Sequence, residues 1–411
     1  MQTVVILGGG AAGLMTAIQA KSSKNQVILL DRNTCCGKKI LVTGNGRCNY
    51  WNENQDFNHY HSMAEAKLYS LLKQGYQQEV VHFFEQIGIV SKIKNGYYYP
   101  FSNQAVSIRD ALLLEARKRG VEIKENFLVT KVEKSNQGFH LVSNDETVVA
   151  DTLVLATGSM ASPKTGSTGD GYLFAKQFGH HIVKVLPSLV QLKCQGNFLK
   201  EWAGIRTDVK LTLYENGCFI REEAGEIQLT DYGISGICTF NLSRFVARGL
   251  DSFKEETVVV SFLPFLGNDV QAGLTWLEQR NLSMSQRNLV ELLEGVLNYK
   301  LIKALLKSIS LDGTKRWDEC TETEKRRLST SLVAFSIPIT GTNSFDKAQV
   351  CSGGVSLEEI NMETMESLLE ENLYLVGELL DVDGDCGGYN LGFAWMSGLV
   401  AGQSIRGRID D

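Results

Sequence analysis

Several familiar features are scarce or missing in this sequence, and each gap removes a class of protein. No run approaches 18 apolar residues, and Met1 leads directly into the core-like Val4-Val5-Ile6-Leu7 without a basic stretch or a small-residue cleavage site. Neither a membrane helix nor a secretory leader is expected, and the chain reads as cytoplasmic. A basic excess is also lacking: 41 Lys and Arg stand against 47 Asp and Glu, a formal charge of −6. That balance gives no electrostatic footprint for nucleic acid or an anionic membrane, so neither is expected as a partner. The nine cysteines are odd in number and irregular in position. They form no CxxC or CxxxxC pair and no Cys/His spacing suited to zinc, which argues against a disulfide framework, dithiol redox chemistry and a metal site. Cys35 and Cys36 read as small loop residues. The six histidines, His180-His181 included, show no ligand spacing and are expected to pack or to lie at the surface. No internal repeat or low-complexity segment is visible.

What is present starts at the N-terminus. A chain of 411 residues, 43% hydrophobic, can bury a sizeable core in two or three domains. Val4-Val5-Ile6-Leu7 runs into Gly8-Gly9-Gly10-Ala11-Ala12-Gly13 and then the helix-forming Leu14 to Ala20. Strand, tight turn and helix in this order aim a helix N-terminus and bare amides at a pyrophosphate. Gly8 permits the turn, Gly10 lets phosphate approach the main chain, and Gly13 lets the helix pack on the strand. The next strand, Gln26 to Leu30, closes at Asp31, 23 residues after Gly8, close to the roughly 20 expected of the acid that binds an adenosine ribose. Its carboxylate is expected to accept both hydrogens of the ribose diol and to repel a 2′-phosphate.

The segment Cys35 to Asn49 is rich in glycine and basic residues and short of apolar periodicity, which suggests a ligand-contacting loop. Residues 63–87 read as helix, as does Ile108 to Arg119 with Ser107 as its cap, ending at Gly120. Short alternating runs follow, Leu128 to Val132 among them, read as strands. The apolar Asp151 to Gly158 looks like a strand buried on both faces of a parallel sheet. From about residue 190 antiparallel strands alternate, 270–333 is charged and helical with a leucine stripe that packs a small lobe, and Leu373 to Glu378 with Leu391 to Ser404 returns to strand and helix. Tyr97-Tyr98-Tyr99-Pro100 is either an aromatic edge strand or a substrate wall. No second GxGxxG with a following acid occurs; Gly166 to Gly171 is glycine-rich without its own βαβ unit.

Three stations, the N-terminal GxGxxG with its acid, Leu155-Ala156-Thr157-Gly158 and Gly377-Glu378, resemble the flavin-binding half of glutathione-reductase-like flavoproteins. More closely, Gly44-Asn45-Gly46-Arg47-Cys48-Asn49, Thr230-Asp231-Tyr232-Gly233-Ile234-Ser235-Gly236, Gly353-Gly354-Val355 and Gly387-Gly388-Tyr389-Asn390 resemble the BaiN/RdsA (YhiN-like) family of flavoprotein oxidoreductases, over essentially the whole chain. Two departures stand out: Asp31 where the family commonly has glutamate, and Thr230-Asp231 where it often has Thr-His. The resemblance implies an α/β protein with a Rossmann-like FAD-binding domain split in sequence (1–190 and 351–411), an inserted β-rich domain (191–265 and 334–350) and a helical lobe (266–333).

It further implies FAD as cofactor, with its pyrophosphate on Gly8, Gly10, Ala11, Ala12 and Gly13 and its adenosine at Asp31, Arg32 and Val129. Lys38 or Lys39 would add charge, unless the pair is merely solvated. Ala156, Thr157 and Gly158 would pass beneath the adenosine half, and Gly377 and Glu378 would face the ribityl or phosphate portion. Asn45, Gly46, Arg47, Cys48 and Asn49 would flank the ring, with Gly388, Tyr389, Asn390 and Leu391 presenting a positive helix end to its pyrimidine edge. Arg47 would orient a substrate carbonyl or carboxylate, or else bond loop carbonyls; Tyr389 is the candidate proton donor. The activity implied is a reductase that moves hydride from a transiently bound NAD(P)H through FAD to a small organic acceptor such as an enone, a steroid or bile-acid type included. An FAD-dependent amine or amino-ketone oxidase and a non-catalytic flavin-binding redox sensor are the alternatives.

Overall fold

Four consecutive apolar residues end each of the first two strands, Gln2–Leu7 (β1) and Asn25–Leu30 (β2), which are joined by the helix Ala11–Ala20 (α1). Glu122–Lys124 (β3), Thr152–Leu155 (β4) and Leu373–Leu375 (β5) complete a sheet in the order β5-β4-β1-β2-β3, every neighbouring pair parallel. The computed structural model describes residues 1–144 and 146–410. Val4 to Leu7 and Thr152 to Leu155 are buried throughout, as a parallel sheet covered on both faces requires. The register matters more than the strand count. Leu7 pairs with Leu30 and with Leu155, Leu155 with Leu375, and Leu30 with Lys124. All five strands therefore end flush, and the turns that follow them gather along one edge, where open α/β sheets bind ligands.

The last helix, Tyr389–Asp410 (α2), lies against α1 at main-chain distance. A Cβ on Gly398 would stand 2.6 Å from the Ala12 carbonyl oxygen, and one on Gly402 would meet Gln19 and the Thr16 carbonyl at 2.5 and 2.8 Å. Small antiparallel pieces decorate the same unit: a meander of Lys131–Ser135, Gly138–Val142 and Thr147–Ala150, a three-stranded sheet of Trp51–Asn52, Tyr97–Pro100 and Ser91–Lys94, and a bridge between Tyr60–His61 and Asp383–Gly384.

The chain divides into two compact units, Met1–Leu186 with everything from Gln349 onward, and Pro187–Ala348. The second is a closed six-stranded barrel of Leu192–Cys194, Gly233–Ser235, Cys218–Leu229, Arg206–Glu215, Glu256–Ser261 and Phe335–Thr342, with the helix Ile237–Asp251 and four further helices between Val270 and Val333. The leucine stripe is core: Leu289, Leu292, Leu293, Leu301 and Leu305 are buried. Among the described residues no helix is long and apolar enough to cross a membrane.

Local corrections have local causes. Residues 63–87 are two helices, Glu65–Leu72 and Gln77–Gln86, separated where Gly75 takes a φ of +82°. Ser107 does not cap: the next helix starts earlier, at Ala105, and Ser107 bonds the Ser102 hydroxyl instead. Leu128 to Thr130 stay outside the strand that begins at Lys131.

In the barrel unit, Glu256 is 3% exposed. Burial, with the Glu215 charge beside it, pushes its carboxyl up to about 7. The folded state then keeps a proton that the unfolded chain releases from pH 4.5 upward, so this group's contribution to stability falls as pH rises to about 7 and levels off above. Glu256→Gln is expected to flatten that slope and to raise the urea midpoint at pH 8 relative to the unmodified protein. On the helix pair, Gly402→Val should destabilise by roughly 1–3 kcal/mol through overpacking. Gly407→Ala, where a Cβ meets nothing within 4 Å, should not lower stability in the same denaturation assay.

Candidate functional site

The turn after β1 is built by contacts only glycine allows. Gly8, at φ +113°, donates its N–H to Leu30 O at 2.8 Å, and a Cβ there would lie 2.4 Å from Ala156 O. A Cβ on Gly13 would stand 1.9 Å from Gly8 O. Strand ends β1, β2 and β4 and the start of α1 are thereby pressed together. Gly10, the N-cap of α1, differs: nothing lies within 4 Å of where its Cβ would be, no side chain caps the helix, and the first turn carries no acid. Uncapped amides of Ala11 and Ala12 beside open space over Gly10 form a cradle for an anion, and the residues present fit a dinucleotide diphosphate.

Asp31 is buried at 7% exposure, with Oδ2 accepting from Gly9 N at 2.7 Å and Oδ1 from Asn33 N at 2.7 Å. Burial raises its carboxyl although both bonds oppose the shift. Asp31, one methylene shorter than glutamate, holds the glycine turn through these two bonds, each of which takes one lone pair of its oxygen. Arg32 reaches the second glycine-rich loop, bonding Thr168 and forming a 2.6 Å ion pair with Asp170. Lys38 is exposed, whereas Lys39 pairs with Glu378 at 2.6 Å. Glu378 also accepts from Ser159 Oγ at 2.7 Å and from Cys351 N at 3.3 Å. Lys39 and Glu378 thus answer one another across the fold.

Gly377, φ +70°, donates to Ser397 Oγ at 3.0 Å and abuts Ala12, so the turn after β5 meets the start of α1. Thr157 Oγ1 is buried without a hydrogen-bond partner among the described residues; Gly158 lies next to Ser167, and Val129 is buried just past the edge strand. In the loop Ile40–Gly46 both Gly44 and Asn45 are left-handed, as are Gly46 and Cys48. Backbone strain of this kind collects at functional sites. Asn45, Gly46 and Arg47 are exposed, and Arg47 donates Nε to Gly44 O at 3.3 Å while lying over the Tyr99 ring. The loop-carbonyl option for Arg47 is thus realised for that nitrogen. Cys48 is buried and its thiol pushed up to about 12 by burial, and Asn49 Oδ1 is buried near Gly388.

The start of α2 is the other glycine-lined helix end. Gly387 and Gly388 have φ of +136° and +96°, Asn52 Nδ2 donates to Gly387 O, and Asn390 pairs reciprocally with the Gly384 main chain at 2.7 and 2.9 Å. Leu391 is half-buried. Tyr389 is buried, its ring stacked on His59 with centroids 4.5 Å apart and edge-on to Tyr60 at 5.5 Å. Burial, with Tyr97, Asp385 and Asp56 nearby, pushes its phenol up, so it stays protonated near neutral pH. Two of the histidines pack here. His59 Nδ1 and His61 Nε2 each lie 3.1 Å from a different oxygen of the buried Asp385. His59 closes a 3-10 turn, Phe57–His59, and His61 lies on the two-residue strand that follows it.

A family model described as the HI0933-like protein Rossmann domain matches residues 2–404. The chain is 39% identical over 412 residues, 99% of its length and 100% of the relative's, to a 3-dehydro-bile acid delta(4,6)-reductase of Clostridium scindens. It is 30% identical to a ribosomal RNA dihydrouridine synthase of Escherichia coli, over 98% of this chain and 97% of that one. Among solved structures, a 3-ketosteroid delta1-dehydrogenase from Sterolibacterium denitrificans aligns with a TM-score of 0.51 at 14% identity, covering 99% of this chain and 100% of that one, a likeness of fold.

The contrast between Gly10 and Gly13 generates a direct check. Gly10→Val should leave thermal unfolding nearly unchanged but weaken FAD uptake, measured by flavin fluorescence quenching, by roughly tenfold or more. Gly13→Val should lower the unfolding temperature itself. Equal FAD affinity in Gly10→Val would remove the diphosphate from this cradle.

Proposed function

Because the chain belongs to the HI0933-like family, we propose that it is an FAD-dependent reductase that takes hydride from NAD(P)H and delivers it to a carbon–carbon double bond conjugated to a carbonyl. The observation that carries this reading is the uncapped start of α1, with open space over Gly10 at the flush edge of a parallel sheet. Full-length similarity to a reductase of 3-dehydro bile acids supports the substrate class. Bound FAD would supply two-electron hydride chemistry.

The residues divide the remaining work. Gly10, Ala11, Ala12 and Gly13 offer amides and the positive end of α1 to the diphosphate. Asp31 keeps the turn in shape through Gly9. Gly388, Tyr389, Asn390 and Leu391, at the positive start of α2, would hold the ring of a bound flavin and stabilise negative charge on it. Tyr389 holds a proton at Oη for the α-carbon of the substrate, the atom that must be protonated once hydride adds to the β-carbon. Arg47, exposed beside Tyr99, is placed to orient the conjugated carbonyl through the guanidinium nitrogens its loop bond leaves over. The donor is NADH or NADPH bound transiently, since the sequence carries no second nucleotide fingerprint.

A second reading shares this chemistry. The uracil C5–C6 double bond is also conjugated to a carbonyl, and relatives of 30% and 28% identity are named ribosomal RNA dihydrouridine synthases. The net charge of −6 therefore does not exclude RNA, because it sums over a whole surface and leaves local patches undetermined.

Anaerobic stopped-flow bleaching with NADH and NADPH, followed by recolouring with a 3-oxo-Δ4 steroid or a uridine-containing ribosomal RNA fragment, separates the readings. Recolouring by the enone is expected. Recolouring by RNA alone would transfer the assignment to the nucleic acid, and recolouring by oxygen alone would make the protein an oxidase. Tyr389→Phe is expected to keep its FAD while enone reduction slows by roughly 10²–10⁴-fold; an unchanged rate would take the proton from Tyr389.

A further inference from the structure

We propose that one face of the small three-stranded sheet, carrying Tyr97 and Tyr99 with Lys92 and Lys94, is the wall that receives the substrate, and that the two lysines select an enone bearing a carboxylate; the assignment rests on the reductase reading above. Tyr97–Pro100 is the middle strand of its sheet, and Ser91–Lys94 is an edge. Tyr98 stands opposite Trp51 and Ile93, Tyr97 opposite Asn52 and Lys94, and Tyr99 opposite Lys92. Directly opposed residues of antiparallel strands share a face, and neighbours along a strand alternate. Trp51, Tyr98 and Ile93 therefore lie on one face, and Asn52, Tyr97, Tyr99, Lys92 and Lys94 on the other. Trp51 is buried and Tyr98 meets Tyr50 edge-on at 6.2 Å, so the first face belongs to the core.

The second face turns to the site already described. Asn52 Nδ2 donates to Gly387 O at 2.8 Å, and a Cβ on Gly387 would stand 2.8 Å from Tyr97 Cε1 and 3.1 Å from Tyr389 Cε2, so the two rings converge on that glycine. Further along the strand, Tyr99 lies beneath the Arg47 guanidinium, 5.7 Å from ring centroid to Cζ, and against the left-handed Gly44. Tyr97 and Tyr99 thus stand between the arginine assigned to the carbonyl and the phenol assigned to the proton. Lys92 and Lys94, one strand further out, are exposed, and among the described residues neither ammonium has an ion pair or a hydrogen bond. Lys39 and Lys124, by contrast, are answered by Glu378 and Glu146. The tyrosine rings suit the flat, unsaturated body of an enone, and two unanswered ammoniums about 5 Å further on, one strand spacing away, suit an anion attached to it. Three cations on this face, Arg47 included, are enough for a carbonyl and one carboxylate, whereas a nucleic acid strand needs a track of them along its backbone.

The test uses the flavin-loaded full-length protein and two 3-oxo-Δ4 steroids that differ only at the end of the side chain, one a carboxylate and the other its primary amide. At low ionic strength kcat/KM is expected to favour the carboxylate by roughly tenfold, an advantage that shrinks as salt screens the charges. The joint change of Lys92→Gln and Lys94→Gln should cut the preference to about twofold, chiefly through KM, and Lys92→Arg with Lys94→Arg should keep it. Tyr99→Leu should raise KM for both steroids by roughly threefold and leave the preference in place. No preference in the unmodified protein, or a preference that survives the double glutamine change, would overturn the assignment; turnover of either steroid would still support the reductase reading. A double glutamine variant that keeps the preference and self-associates would make the lysines guards of an open sheet edge, and one that keeps it but loses affinity for a uridine-containing RNA fragment would give the face to RNA. A flavin-loaded protein that reduces neither steroid would remove the reductase reading and the assignment with it.

Discussion

The close approach of Gly8, Gly13 and Ala156 is the constraint on which the rest of the first unit depends. Three strand ends and one helix start meet there at distances that no side chain survives, since a Cβ on Gly8 or Gly13 would fall within 2.4 Å of a carbonyl oxygen. That contact sets the tilt of α1, whose opposite flank takes α2 through Gly398 and Gly402. It also leaves the amides at the start of α1 facing outward, because no cap is present to satisfy them. Packing and ligand chemistry are thus consequences of one turn.

Charge around this turn is arranged so that side chains largely cancel. Arg32 is answered by Asp170, and Lys39 by Glu378. Beside those closed pairs, the uncapped start of α1 offers main-chain dipoles, which are fixed by the fold and need no reorganisation when an anion arrives. Asp31 belongs to the same economy of geometry: its oxygens hold Gly9 and Asn33, so its negative charge shapes the turn from behind.

The second cluster, around Tyr389, has a different character. Its aromatic rings, the paired imidazoles on Asp385 and the reciprocal Asn390–Gly384 bonds stiffen the start of α2. Burial at this cluster keeps the Tyr389 phenol protonated.

Local pattern was enough for the parts of this protein governed by near neighbours. The strand–glycine–helix opening, the buried β4, the leucine stripe and the return to strand and helix near the C-terminus were all legible, because apolar period and glycine placement act within a few residues. The residues of the flavoprotein motifs were legible too. What could not be read was which partner each side chain finds across the fold. That Asp31 accepts from Gly9 N at 2.7 Å and that Lys39 pairs with Glu378, 339 residues later, only the fold shows. His59, His61 and Asp385 showed no spacing of a site, since 326 and 324 residues separate the aspartate from its imidazoles. Periodicity decides what a segment becomes; only the register of strands and the closing of the helices decide which charges meet, because hydrogen bonds and ion pairs act over a few ångströms in space whatever their distance along the chain.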